Sequence, residues 1–237
     1  MMKYLSTTTP SNNKLHLNLT PNSVLVFDLD DTLYKEVEFL RSAFMEISSH
    51  LHKSCGRNHF EKMLEWYNSG VDVFGKLEEE CGSHIAQKDE LIQMYRLHLP
   101  NINLCSAVKI FLEVVRPISQ ALGIITDGRS ITQRNKIRAL KLDQYFDHII
   151  ISEEFGSEKP SLASFQYYED KYPLSDYCYF GDNVKKDFIA PNILGWNSIC
   201  ILDDGKNIHH QNFDIESVHL PRIMISNFSE LEIINGL

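Results

Sequence analysis

Basic residues are scarce in this chain. Lys and Arg number 23 against 32 Asp and Glu, for a formal charge of −9. No run or stripe of Lys and Arg interrupts the acidic background. The electrostatic footprint of a nucleic-acid or anionic-membrane binder is therefore missing. No apolar run is long enough to span a bilayer. The opening MMKYLSTTTPSNNK lacks the apolar core of an export signal, so the expected compartment is the cytoplasm. Cysteine is sparse too. Cys55, Cys81, Cys105, Cys178 and Cys200 are widely spaced, odd in number and contain no CxxC pair. That pattern reads as reduced thiols rather than disulfides or zinc ligands. What the chain does have is a 43% hydrophobic fraction over 237 residues, enough for a sizeable core in one or two domains.

The apolar residues divide the chain into two kinds of segment. Residues 1–20 are rich in Ser, Thr and Asn and read as a loose N-terminal extension, with LHLNL at Leu15–Leu19 a weak edge-strand pattern. From 37 to 107 the apolar residues recur at three- and four-residue steps. Val37, Leu40, Phe44, Ile47 and Leu51 form one such stripe, and the region predicts a cluster of helices without strands. Phe44, Tyr67 and Phe74 are its candidates for lining a substrate space. Residues 21–36 and 108–237 instead alternate short apolar strands (SVLVFD, ALGIIT, HIIIS, YCYFGD, NSICIL, RIMIS) with helices over 107–115, 130–140, 162–172 and 187–194. A last helix is expected at FSELEII. Alternation of this kind predicts an α/β fold, a Rossmann-like doubly wound parallel sheet with an inserted helical cap domain.

In such sheets ligands bind beyond the carboxyl ends of the strands. Four polar clusters fall there: Asp28–Thr32, Thr126–Arg129, Gly156–Pro160 and Gly181–Asp187. The fold would bring them together. Crowded carboxylates repel and need a cation. Lys159 is one, and a divalent metal with oxygen-only ligands, Mg²⁺, is the other. Asp28 and Asp30 are two positions apart and can reach one substrate from different directions. One can attack phosphorus while the other protonates the departing oxygen. Thr126 offers a hydroxyl to a phosphate oxygen, near backbone N–H groups at a helix start.

In these clusters the chain resembles the haloacid dehalogenase-like hydrolase superfamily. The matching motifs are DxDxT at Asp28–Thr32, Thr126 after a hydrophobic strand, Lys159 before Pro160, and GDxxxxD at Gly181, Asp182 and Asp187. The resemblance covers about residues 23–204 and implies an all-helical cap. It implies that Asp28 is the nucleophile and Asp30 the general acid, then base. Thr126, Asp127 and Lys159 would bind phosphate. Mg²⁺ would sit on Asp28, the Asp30 carbonyl and Asp182, with Asp187 ligating through water or orienting Lys159. Thr32 would shape the turn. Asp127 stands where many relatives carry Asn; it can pair with Arg129, which is itself a candidate substrate contact.

The implied function is a Mg²⁺-dependent phosphatase acting on a small phosphomonoester, a sugar phosphate or nucleoside monophosphate, through an aspartyl-phosphate. A phosphomutase and a non-catalytic phosphate-binding module are the alternatives. Dehalogenation is disfavoured, because it has no use for the acid Asp30. Lys35 and Arg41 read as solvated helix positions, and the pair His209–His210 as an exposed loop. A monomer is the default.

Overall fold

The structure is a computed structural model that describes residues 14–235. Its centre is strand β2 (Ser23–Phe27), in which every residue is buried. A six-stranded parallel sheet forms around it in the order β4 (His148–Ile151), β3 (Ala121–Thr126), β2, β5 (Asp176–Gly181), β6 (Asn197–Ile201), β7 (Ile223–Ile225). The strands are apolar on both faces because helices cover both. Leu25, Phe27, Ile124 and Phe180 pack to one side, while Val24, Val26, Ile125 and Tyr179 pack to the other. The Phe27 and Phe180 rings stack with centroids 4.6 Å apart.

The connections are helices α5 (Ser106–Val115), α6 (Ser130–Ala139), the short α7 (Ser152–Phe155), α8 (Ala163–Lys171) and α9 (Ile189–Leu194). From β2 the chain steps outward to β3 and β4. It then returns to the other side of β2 for β5, β6 and β7. The direction of winding thus reverses between β2 and β5, where diverging loops leave a crevice at the carboxyl ends of the strands.

Between β2 and β3 lie α1 (Glu36–Cys55), α2 (Phe60–Asn68), α3 (Val73–Cys81) and α4 (Lys88–Leu97). They enclose their own core of Leu40, Phe44, Ile47, Leu51, Met63, Leu77 and Leu91. Helix α1 stops at Gly56, whose φ of 68° suits a residue without a side chain. Asp72 caps α3 by accepting from the Gly75 N–H at 3.1 Å. Phe44 packs edge-on against Tyr67 and Phe74 inside this helical unit. The unit meets the sheet domain through α4. Thr132 and Asn135 of α6 donate to the carbonyls of Arg96, Leu97 and His98.

Three details differ from the sequence expectation. Leu15–Leu19 is a well-formed strand, β1, paired in parallel with β8 (Leu231–Asn235) as a separate two-stranded sheet. Of the extension expected over 1–20, Leu15–Leu19 is thus an ordered strand, as its alternating pattern allowed, and residues 1–13 lie outside the described residues. FSELEII is a single 3-10 turn (Phe228–Glu230) followed by β8, not a helix. Its β-branched Ile233 and Ile234 favour extended backbone. Its partner strand lies at the far end of the chain, invisible to a local reading of period. Last, α9 begins at Ile189 rather than Asp187, because the Asp187 side chain is engaged by the turn before it. No helix among the described residues is long and apolar enough to cross a membrane.

Candidate active site

Asp28 follows directly from β2, and its N–H donates to the Phe180 carbonyl of β5 at 2.8 Å. That bond pins it at the crevice. Asp182 and Asp187 come from the loop after β5. Asp28, Asp182 and Asp187 are 6%, 3% and 0% exposed, and their carboxylate oxygens lie within 4.8 Å of one another. Lys159, from the loop after α7, donates to Asp28 Oδ1 and to Asp187 Oδ1, both at 2.6 Å. The other oxygen of Asp187 accepts the N–H groups of Asp182 (3.1 Å) and Asn183 (2.8 Å). Asp187 therefore both positions the lysine and holds the loop. Gly181 makes this approach possible, since a Cβ there would stand 2.7 Å from Asp187 Oδ2.

Asp30 sits in a second ionic group. It accepts from Lys136 Nζ at 2.7 and 2.9 Å, from the Tyr34 hydroxyl at 2.5 Å and from Gln133 Nε2 at 2.9 Å. Gln133 also donates to Thr126 Oγ1 at 2.6 Å. Glu36 lies 3.4 Å from the same lysine. Asp31 adopts φ 53°, tolerable for an aspartate. Its two oxygens accept the Glu36 and Ile208 N–H groups, tying the turn to both the helical unit and the loop after β6. From that loop Asn207 donates to Asp182 Oδ2 at 3.0 Å and Gln211 to the Asp182 carbonyl at 2.9 Å.

Electrostatics separate the two aspartates. Burial, aided by Asp187 and Asp30, pushes Asp28 up to about 7 against the pull of Lys159. Burial works the same way on Asp30, yet Lys136, Tyr34 and Gln133 outweigh it and hold the group below its ordinary value. Burial, then Asp187 and Asp28, push Asp182 up to about 9. Burial and Asp30 raise Glu36 to about 8. Burial opposes the charge on Lys159, but Asp187 and Asp28 keep its ammonium well above the ordinary range.

The donor set fits a divalent cation. Asp28, Asp182 and Asp187 carry three negative charges when ionised, and Lys159 offsets one. The residual two match one divalent ion, and the donors around it are all hard oxygens. Asp28, Asp182 and Asp187 are the side chains close enough together to hold it. Beside them lies a cleft lined by Asp28, Asp30, Thr126, Asp127, Lys159, Asp182, Lys186, Asn183, Glu36, Asp31 and His209.

Most of the expected site residues thus meet in one place. Asp127 faces the cleft, but its partners are the Lys159 N–H (3.1 Å) and Lys186 Nζ (2.8 Å), not Arg129. Arg129 is half exposed, 3.5 Å from Glu153, and is not among the cleft residues. Two amides at the α6 start are already taken: Gly128 donates to Ser152 and Ser130 to Glu153. Lys35 is not solvated but bonds Asn207 Oδ1 at 2.6 Å. Arg41 is exposed, as are both histidines, although His209 borders the cleft. Phe44, Tyr67 and Phe74 do not line it. Gln133, Lys136, Lys186 and Asn207 escaped the sequence reading. The first two lie three apart on the helix after Thr126, so helical phase could have placed them on one face; the other two left no local signal.

A parallel sheet whose switch point carries a cleft of crowded carboxylates and lysines defines an α/β enzyme with a strongly ionic site. Residues 25–201 match the family model of the haloacid dehalogenase-like hydrolases, and the chain belongs to that family. It is similar to glyceraldehyde 3-phosphate phosphatase of Methanocaldococcus jannaschii, with 28% identity over 198 residues, 75% of this chain and 84% of that protein. It is also similar to N-acylneuraminate-9-phosphatase of Mus musculus, with 27% identity covering 73% of this chain and 64% of that protein. Among solved structures, Bacillus subtilis YfnB bound to magnesium superposes with a TM-score of 0.60 at 21% identity, covering 89% of this chain and 97% of that one. The class is that of a hydrolase, with phosphatases as relatives.

Proposed function

We propose that the protein is a Mg²⁺-dependent phosphatase that hydrolyses a small phosphomonoester through an aspartyl-phosphate on Asp28. The observation that carries this reading is the convergence of Asp28, Asp182 and Asp187 on one another, with Lys159 bridging Asp28 and Asp187, at the β2/β5 switch point. Bound Mg²⁺ would be held by Asp28 and Asp182, with the Asp30 carbonyl, and would offset charge on the phosphoryl oxygens. Lys159 favours the ionised form of Asp28 against the effect of burial and can share its charge with the incoming phosphate. Thr126 offers its hydroxyl to a phosphate oxygen, and Lys186 adds a second cation at the rim. The oxygen–phosphorus bond to the leaving group breaks as Asp28 Oδ–P forms, and Asp30 delivers the proton to the departing alkoxide. Lys136 favours the ionised form of Asp30. A phosphate dianion beside it raises its proton affinity, so it is loaded for acid catalysis only with substrate present. The same carboxylate then takes a proton from the water that cleaves the aspartyl-phosphate.

The helical unit is read as a cap that roofs the cleft, which restricts substrates to small ones. The two similar phosphatases are named for phosphorylated sugars or sugar acids, which favours a sugar phosphate over a nucleoside monophosphate. The test is phosphate release from a panel of triose, hexose and nonulosonate phosphates and nucleoside monophosphates, with Mg²⁺ and with chelator. Mg²⁺-dependent release from a phosphorylated sugar is expected. Equal release with chelator, or exchange of phosphate between sugar positions without net release, would refute it.

A further inference from the structure

We propose that Cys55, His59 and Cys81 form a zinc site in the helical unit, with Glu80 as the adjacent fourth donor. Cys55 is the last residue of α1, His59 immediately precedes α2, and Cys81 is the last residue of α3. Their ligand atoms all lie within 4.8 Å of one another. The Cys55 and Cys81 sulfurs are 3.8 Å apart, and Cys81 Sγ is 3.6 Å from His59 Nε2. These two distances match the edges of a zinc tetrahedron. Two sulfurs about 2.3 Å from a tetrahedral ion stand roughly 3.8 Å apart, and a sulfur and an imidazole nitrogen about 3.6 Å. Glu80 Oε2 is 3.7 Å from the same His59 nitrogen, and Lys62 Nζ donates to both Glu80 oxygens at 2.9 Å, so the carboxylate would be shared between the lysine and the ion.

The histidine supplies a second, independent pointer. It is 2% exposed, and its Nδ1 is buried without a hydrogen-bond partner among the described residues. Every polar neighbour of the ring therefore stands at Nε2, the atom aimed at the thiols. An apolar residue would fill that volume without orphaning a nitrogen, so packing alone does not account for an imidazole there. Thiolate and imidazole donors select a soft or borderline cation, zinc foremost, whereas the sheet cleft offers oxygens alone. The ion would clamp three helix ends in a unit that has a small core of its own. None of its ligands borders the cleft, so the proposal does not depend on the phosphatase reading.

The experiment uses the full chain, thiols reduced, stripped with chelator and returned to excess Mg²⁺ so that the oxygen cleft is filled. Zinc is titrated in, and the equivalents retained after gel filtration are measured. The wild type is expected to hold one zinc that the Cys55→Ser/Cys81→Ser and His59→Gln variants lose, each checked for native helix content by circular dichroism. Cobalt added to the wild type alone, independent of any variant's folding, is expected to show thiolate-to-cobalt charge transfer and tetrahedral ligand-field bands. Zinc held equally by wild type and the double variant, or cobalt bound without charge transfer, overturns the site.

Discussion

The sheet end and the helical unit bury polar side chains in opposite ways. At the sheet end, Asp28, Asp182, Asp187, Lys136 and Lys159 are buried, and together with the partly exposed Asp30 they are packed into two neighbouring ionic groups. In the helical unit the interior is Leu, Ile, Phe and Met, and the buried polar side chains are few: Ser48 and His59, and His98 where it bonds Ser42 and Glu46. Strand ends converge whatever the intervening sequence does, so a short motif at each is enough to build a site. Helix ends meet only where tertiary packing brings them, so a site there carries no motif. The sheet domain uses its stability to hold charges together, and the helical unit spends little on charge at all.

The widest separation between the two regions is expected in Asp28→Asn against Leu77→Ala. The first should cut phosphate release by roughly 10⁴ or more with little change in folding. The second opens a cavity in the helical core, costing about 2–5 kcal/mol while leaving turnover at saturation nearly intact; urea denaturation and phosphate release measure both. Comparable losses of activity in the two would erase the division of labour. Lys159→Met should cost about 3–5 kcal/mol of stability, because Asp28 and Asp187 are left buried without their cation, and should abolish turnover as well.

A pH series sharpens the contrast further. Asp28 and Asp182 are raised from 3.8 to about 7 and about 9. Between pH 4 and 9 the folded, metal-free chain binds protons that the unfolded chain has released. Its stability therefore falls as pH rises through that window. Mg²⁺ should flatten the slope by replacing those protons, and identical urea midpoints with Mg²⁺ and with chelator across the window would contradict the charge accounting. The smallest effect is expected from Arg129→Ala: its contact to Glu153 is solvent-exposed and worth below about 1 kcal/mol. A large drop in kcat/KM would instead bring Arg129 back to the substrate.

These contrasts also explain what could be read from the sequence. Asp28, Thr126 and Asp182 are legible because each closes an apolar strand, and a parallel sheet fixes where strand ends go; Lys159 lies further on, in the loop after α7, within the polar cluster that follows β4. Lys136 left a weaker signal: it lies inside a helix that is polar along most of its length, so nothing but helical phase with Gln133 singles it out, and its role appears only when α6 packs against the turn carrying Asp30. Asn207 reaches Asp182 from a loop 25 positions on, which no spacing rule covers. The β1–β8 pair joins the two ends of the described chain, so neither strand has a local signal of its partner. Cys55 and Cys81 are 26 positions apart and looked unrelated for the same reason.

The central claim is tested most directly at Asp28 itself. Rapid quench during turnover of the best sugar phosphate with Mg²⁺, borohydride reduction and peptide mass spectrometry locate any acyl phosphate. The account predicts reduction of Asp28 to homoserine in the wild type and no such product in Asp28→Asn. Turnover with an unmodified Asp28, or an acyl phosphate trapped on another residue, would contradict it.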